Sequence, residues 1–246
     1  MNSKPILAAA LIATALAAPA QAAKYKTVAV KNGGTITGKV SFTGKDPAPK
    51  DFAVTKNPEV CGSADRKIDF VKVNNGALEE AVVYIAKIKA GKAFPEKLTK
   101  PFKLDQHNCA FHPFLGAMAN GQKLDVVNSD PVLHNIHTYE QIGRAKRTVF
   151  NVSQPDKGTI VKKVKLRRGT SMKIECDAHD FMHGFMFVAK NPYFAVVKDD
   201  GSYAIKDVPP GKYTLKVWHG TLGTKKTKIT VAAGATATHD FTFKGK

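Results

Sequence analysis

The sequence predicts an all-β protein that contains two β-sandwiches. Short segments rich in β-branched and aromatic residues recur along the chain, and Gly, Asn, Asp and Pro residues separate them. No long segment has the spacing of apolar residues that is typical of an amphipathic helix. Many short strands joined by such turns favour β-sandwiches. The predicted strands cover residues 35–42, 81–88, 123–128, 159–166, 171–176 and 185–189.

The first 22 residues predict an export signal. Lys4 lies in a short basic start, an apolar run covers residues 6–18, and residues 20–22 form a small-residue cleavage motif. The apolar run is shorter than the roughly 18–20 residues that a membrane span needs, and no later run reaches that length. We therefore expect a periplasmic protein that begins near Ala23 and has no transmembrane segment. An uncleaved anchor is the alternative.

The chain is strongly basic, with 38 Lys and Arg residues against 20 Asp and Glu residues. Removing the export signal takes away only Lys4, which leaves 37 − 20 = +17. Basic residues concentrate between positions 144 and 173. This concentration predicts either a solvated face or a surface that attracts an acidic partner. No nucleic-acid-binding motif accompanies these charges, so we expect no nucleic-acid partner.

Four potential metal ligands lie close to predicted strand ends. Cys176, His179 and Met182 share one short loop after the strand at 171–176, and His134 lies upstream in a Pro-Val-Leu-His-Asn segment. Two imidazoles, a thiolate and a long axial thioether form the ligand set of blue-copper sites. Each residue taken alone also suits an ordinary role, such as a buried thiol or core filler. Taken together, the four predict one type 1 copper ion and no catalytic residues.

This pattern resembles the cupredoxins, and most closely the amicyanins, over about residues 123–188. The shared motifs are Cys-x2-His-x2-Met and the upstream Pro-x-x-His-Asn. The resemblance implies a Greek-key cupredoxin sandwich in which Asn135 ties the two ligand loops together by hydrogen bonds. It also implies that the edge of His179 lies in an apolar surface patch that passes electrons. Ala178 and Asp180 stand where amicyanins carry Pro, so we expect a less apolar and less rigid face.

The chain divides into three zones after the signal at residues 1–22. Residues 23–100 contain early strands, residues 101–190 form the predicted copper domain, and residues 191–246 contain further strands and turns. The last zone resembles the carboxypeptidase regulatory-like (transthyretin-like) modules, because an Asp-Asp-Gly turn and a Pro-Pro-Gly-Lys-Tyr turn start its strands. The opening strands of such a module are expected near residues 34–40 and 78–88. We therefore predict one discontinuous module with the copper domain inserted, and two successive domains are the alternative. The whole chain resembles plastocyanin-type or methylamine-utilisation-type bacterial proteins.

The chain has three cysteines, and one pair is predicted to form a disulfide. Export permits disulfides, and pairing Cys61 with Cys109 leaves Cys176 free for copper. The alternative is a second metal site at His107, Cys109 and His112.

Two further histidines lie close to the predicted ligands in sequence. His137 has the opposite strand parity to His134 and is not expected to be a ligand. His183 directly follows Met182 and is expected to point to solvent.

These features favour an electron carrier that exchanges single electrons with a redox protein such as a cytochrome or a dehydrogenase. Copper storage or delivery is an alternative, but the five methionines do not form the Met-rich tail that it needs. A copper enzyme is another alternative, although no nucleophile–base set indicates catalysis. A non-redox β-sandwich binding module is the last alternative.

Overall fold

The computed structural model describes residues 25–245, so the predicted export signal lies outside the described residues. The first strands are β1 (Lys26–Thr27), β2 (Gly34–Thr43), β3 (Lys50–Phe52), β4 (Arg66–Ile68), β5 (Val73–Asn74), β6 (Ala77–Leu78), β7 (Ala81–Ile85) and β8 (Ala90–Gly91). The central strands are β9 (Phe102–His107), β10 (Ala110–His112), β11 (Leu115–Ala119), β12 (Lys123–Asn128), β13 (His134–Ile142), β14 (Ala145–Gln154), β15 (Gly158–Lys163), β16 (Ser171–Cys176) and β17 (His183–Ala189). The last strands are β18 (Phe194–Val196), β19 (Ser202–Val208), β20 (Gly211–His219), β21 (Gly223–Val231), β22 (Thr236–Thr238) and β23 (Phe241–Lys244).

Two short helical turns interrupt the strands. They are α1 (Pro58–Cys61), which lies in the connection between β3 and β4, and a 3-10 turn at Glu96–Leu98. Within residues 25–245, no helix is both long and apolar enough to cross a membrane. The all-β class that the sequence predicts is therefore confirmed.

The nine central strands form a Greek-key sandwich of two sheets. One sheet has the order β10-β9-β12-β15 and the other β11-β17-β16-β13-β14. The chain passes between the sheets, because β11, β13 and β14 of one sheet alternate along the chain with β10, β12 and β15 of the other. As a result β9 pairs in parallel with β12, and β11 pairs in parallel with β17. Alternate side chains of the strands point inwards. They form one buried apolar cluster that includes Leu104, Leu124, Ile136, Ile174 and Val188.

Ten of the remaining strands form a second sandwich from both ends of the chain, and the short pairs β1–β8 and β3–β4 lie outside its two sheets. One sheet has the order β18-β7-β20-β21. The other has the order β19-β2-β6-β5, and β22 and β23 also pair with β2. Strands that precede the central sandwich in sequence therefore share sheets with strands that follow it. The core of this second sandwich includes Ile36, Val83, Tyr203, Leu215 and Phe241.

An aromatic cluster joins the two sandwiches. Phe185 and Phe187 of β17 contact Trp218 of β20, with ring centroids 6.2 and 6.1 Å apart. Tyr84 of β7 lies 4.9 Å from Phe187, also between ring centroids. Because aromatic rings bury a large apolar area, this contact fixes the central sandwich against its neighbour.

Candidate metal centre

His134, Cys176 and His179 come together at one end of the central sandwich. His134 begins β13 and Cys176 ends the neighbouring antiparallel strand β16, so the two residues lie at the same end of one sheet. The Nδ1 atoms of His134 and His179 are 3.2 Å apart, and Cys176 Sγ lies 3.7 Å from His179 Nδ1. All three side chains are buried. The structure thus brings three of the four predicted ligands to one point.

Met182 lies at the end of the loop that starts at Cys176. The Met182 N–H donates to the His179 carbonyl at 3.1 Å, and the Cys176 N–H donates to the Met182 carbonyl at 3.3 Å. These two bonds close the loop. The Met182 side chain is buried in the same apolar cluster as Cys176. Its role as the fourth ligand stays a prediction.

Asp130 orients the imidazole of His134. Its Oδ2 atom lies 2.8 Å from His134 Nε2, and its carboxylate accepts the N–H groups of Asn108 and Cys109, each at 2.8 Å. Burial by itself raises the pKa of Asp130, but these hydrogen bonds outweigh it and hold the pKa below its ordinary value. The ionised carboxylate can only accept, so His134 Nε2 carries a hydrogen, and in the neutral imidazole that a metal requires Nδ1 then keeps its lone pair.

Asn57 orients the imidazole of His179 in the same way. Its Oδ1 atom lies 3.0 Å from His179 Nε2, and its Nδ2 donates to Glu59 Oε1 at 3.3 Å. The second bond orients the carboxamide with its oxygen toward the ring, so His179 Nε2 donates and Nδ1 is an acceptor. His179 is only 2% exposed. The expected imidazole edge in an apolar surface patch is therefore wrong, because the chain before α1 covers it.

The donor set at this site suits a metal cation. Two buried Nδ1 lone pairs face each other across 3.2 Å, and the single S–H hydrogen of Cys176 can serve only one of them. Burial, followed by the neighbouring His134, lowers the pKa of His179 to about 4, so its imidazole is neutral at pH 7. A metal-binding imidazole must be neutral. Two imidazoles and one thiol sulfur, with Met182 on the same loop, fit copper.

Asn135 connects the two ligand segments through its backbone. Its N–H donates to Cys176 Sγ at 3.3 Å, and its carbonyl accepts the Asp177 N–H at 3.1 Å. The side-chain oxygen of Asn135 is buried and has no hydrogen-bond partner among the described residues. Burial raises the pKa of the Cys176 thiol, so a metal has to displace its proton.

Cys61 and Cys109 form the predicted disulfide. A disulfide sulfur is not a thiolate, and metals bind the thiolate form of cysteine. The alternative second site at His107, Cys109 and His112 therefore loses its sulfur ligand. The two histidine rings lie 6.3 Å apart, and both residues are exposed.

His137 and His183, which lie close to the predicted ligands in sequence, both pack against aromatic rings. The ring of His137 stacks on Tyr139 with centroids 4.0 Å apart, and its exclusion from the ligand set stays a prediction. His183 packs against Phe52 and Phe70 with ring centroids 5.2 and 5.0 Å away. The expectation that His183 points to solvent is wrong, because these two rings cover it.

Sequence reasoning missed Asp130 and Asn57, the two residues that orient the imidazoles. Asp130 lies four residues before His134 in an Asn-Ser-Asp-Pro segment, and such a segment is typical of a turn. A signal existed there, because metal-binding histidines commonly donate their other nitrogen to a carboxylate. Asn57 lies 122 residues before its partner His179, and no local pattern connects them.

Comparison with protein families finds a match over residues 184–239. The matching family is described as "Polysaccharide lyase family 4, domain II". The match begins inside β17 and covers a minor part of the chain. It is not the carboxypeptidase regulatory-like family that the turn motifs predicted, because Asp-Gly and Pro-Pro-Gly turns reflect backbone dihedral angles that many β-sandwiches share. A comparison with curated proteins finds no match.

Several solved structures resemble part of the chain at low similarity. A purple cupredoxin from Nitrosopumilus maritimus is 15% identical, with a TM-score of 0.30 over 36% of this chain and 99% of its own. Amicyanin from Paracoccus versutus is 15% identical, with a TM-score of 0.29 over 45% of this chain and 99% of its own. The copper-containing nitrite reductase from Thermus scotoductus SA-01 is 14% identical, with a TM-score of 0.30 over 43% of this chain and 25% of its own.

Proposed function

We propose that this chain is an exported type 1 copper protein that carries single electrons in the periplasm. His134, Cys176, His179 and Met182 would hold the one copper ion. The observation that carries the proposal is the convergence of two Nδ1 lone pairs and a buried sulfur, while both Nε2 atoms are held by other residues. Copper in such a set supplies a Cu(II)/Cu(I) couple.

The chain supports this role by keeping its ligands fixed. His134 and Cys176 belong to paired strands, and backbone hydrogen bonds close the loop from Cys176 to Met182. The site is buried, so bulk water does not compete for the metal. An electron carrier needs such a rigid site more than a substrate pocket, which is why we propose a carrier rather than an enzyme.

The proposed partner is an acidic redox protein such as a cytochrome or a dehydrogenase. Exposed basic residues cluster on β14 and β15, in the turns that precede these strands and in the segment after β15, at Arg144, Lys146, Arg147, Lys157, Lys163, Lys165, Arg167 and Arg168. Because β14 and β15 are edge strands, these charges also oppose edge-to-edge aggregation. Docking through this surface is expected to weaken as the salt concentration rises.

The first experiment is a visible absorption spectrum of the protein after addition of Cu(II). The wild-type protein is expected to show an intense thiolate-to-copper band that Cys176→Ala abolishes. His112→Ala is the control, because His112 is exposed and belongs to the rejected second site.

Each outcome of this experiment separates the proposed function from an alternative. Copper binding without the band would contradict the type 1 site and favour storage or delivery. Absence of copper binding would favour a non-redox binding module. If the band appears, reversible reduction and reoxidation of the band tests the electron-carrier role.

A further inference from the structure

The outer edge of His179 is covered by a segment that is distant in sequence. We name residues 55–61 the capping segment; it lies between β3 and β4 and includes α1. Asn57 in this segment places its Oδ1 atom 3.0 Å from His179 Nε2. Val60 packs against the apolar cluster that contains Cys176. The capping segment is therefore anchored on the central sandwich at two points besides its disulfide.

The local conformation of the capping segment suits this contact. Asn57 has φ 50°, in the left-handed region that Asn tolerates better than most residues. Its carbonyl accepts the N–H groups of Val60 and Cys61 at 3.0 and 2.8 Å. This turn leaves the carboxamide free to point at His179, while Glu59 holds the amide nitrogen.

One disulfide joins the supports of both imidazoles. Cys61 ends the helical turn that follows Asn57, and its disulfide partner Cys109 donates its N–H to Asp130 at 2.8 Å. Asp130 in turn accepts the N–H of His134 Nε2. A continuous path therefore runs from His179 through the capping segment and the disulfide to His134. Arg66 reinforces this path by donating to the carbonyl groups of Cys61 and Asn108.

We propose that Asn57 is a positioning residue of the metal site and that the Cys61–Cys109 disulfide holds it in place. Asn57 keeps the hydrogen of His179 on Nε2, so that Nδ1 faces the metal. It also closes the imidazole edge to solvent. A cleft of about 190 Å³ lies between the capping segment and the loop that carries His179, and Lys56 and Asp180 line it from the two sides. A loosened capping segment would therefore widen this cleft and open the ligand loop to solvent. This inference rests on the proposed metal site.

The test uses three single-residue variants and one double variant of the full chain. Asn57→Gly removes the carboxamide but tolerates the left-handed backbone, whereas Asn57→Asp keeps an acceptor oxygen. Asn75→Gly is the matched control, because Asn75 is exposed and has φ 49°. The first measurement is the tautomer of His179 in the metal-free protein, from long-range ¹H–¹⁵N NMR correlations. We expect the Nε2–H form in wild type, Asn57→Asp and Asn75→Gly, and a mixture of tautomers in Asn57→Gly.

The second measurement is copper affinity in competition with a chelator. We expect Asn57→Gly to lose about 10- to 100-fold in affinity, and Asn57→Asp to recover most of it. The double variant Cys61→Ser/Cys109→Ser should show the same tautomer mixture with Asn57 intact. An unchanged tautomer in Asn57→Gly would overturn the role of Asn57, and an unchanged tautomer in the double variant would overturn the role of the disulfide. Because the tautomer is read without metal, failure of the proposed copper function would leave this test decisive.

Discussion

Replacing Asp130 with Asn tests whether this residue supports both the fold and the metal site. The Asp130 carboxylate is buried and accepts three hydrogen bonds, all at 2.8 Å, from Asn108 N–H, Cys109 N–H and His134 Nε2. An Asn side chain has one acceptor oxygen and one NH2 donor. If its oxygen takes the Oδ2 position, the NH2 group faces the Asn108 N–H. If its oxygen takes the Oδ1 position, the NH2 group faces the Cys109 N–H and forces His134 to change tautomer.

Either orientation leaves at least one buried donor without an acceptor. The cost of such a donor is about 1–3 kcal/mol. We therefore expect Asp130→Asn to lower the free energy of unfolding of the metal-free protein by about that amount at pH 7. Copper affinity should also fall by about 10- to 100-fold, because the support of a ligand imidazole is lost.

Urea unfolding followed by circular dichroism measures the stability, and competition with a chelator measures the affinity. Asp125→Asn is the control, because it makes the same charge change at a partly exposed position on β12. If Asp130→Asn matched Asp125→Asn within about 0.5 kcal/mol and in copper affinity, the assigned role of Asp130 would be refuted.

Three further predictions concern stability of the metal-free protein, measured by the same urea unfolding. Burial raises the pKa of Glu140, but the Arg147 guanidinium and backbone N–H groups outweigh it and hold the pKa at about 2. The free energy of unfolding of the wild type should therefore decrease as pH falls from about 4.5 toward 2. Glu140→Gln should be less stable than the wild type at pH 7, and its free energy of unfolding should depend less on pH between about 4.5 and 2. An equal pH dependence in the two proteins would contradict this prediction. Burial lowers the pKa of His219 from 6.5 to about 4, so the unfolded state binds more protons in that window and stability should fall as pH drops through it. His219→Asn should reduce that slope, and an equal slope would argue against the assignment. Phe187→Ala should cost about 3–5 kcal/mol because it opens a cavity where the two sandwiches meet, and a loss below about 1 kcal/mol would mean that the aromatic cluster does not hold them together.

The all-β class was predictable because strand patterns and turn residues are local. The predicted strands at 123–128 and 171–176 agree with β12 and β16 to the residue. The strand predicted at 81–88 ends at Ile85 in the structure, and the strand predicted at 159–166 ends at Lys163. In both cases the apolar pattern continues beyond the last ladder pair, because side-chain alternation does not report where a partner strand stops.

Much of the candidate site was also local in sequence. The loop from Cys176 to Met182 carries its spacing in seven residues, and cysteine counting left Cys176 free once Cys61 and Cys109 were paired. The turn motifs near the C-terminus predicted the wrong family, because such turns recur in unrelated β-sandwiches. The matching family is polysaccharide lyase family 4, domain II, and not the carboxypeptidase regulatory-like family.

The sequence by itself determined the strand-rich class, and it predicted both the disulfide pair and the three donors that the structure brings to one point. Only the tertiary structure decided how those donors are oriented and shielded. The tautomer of each imidazole depends on what its outer nitrogen contacts, and for His179 that contact is Asn57, far away along the chain. Hydrogen bonds between distant segments arise from packing of the whole sandwich. No local periodicity encodes them, which is why the burial of His179 and the support of Asp130 emerged only from the folded chain.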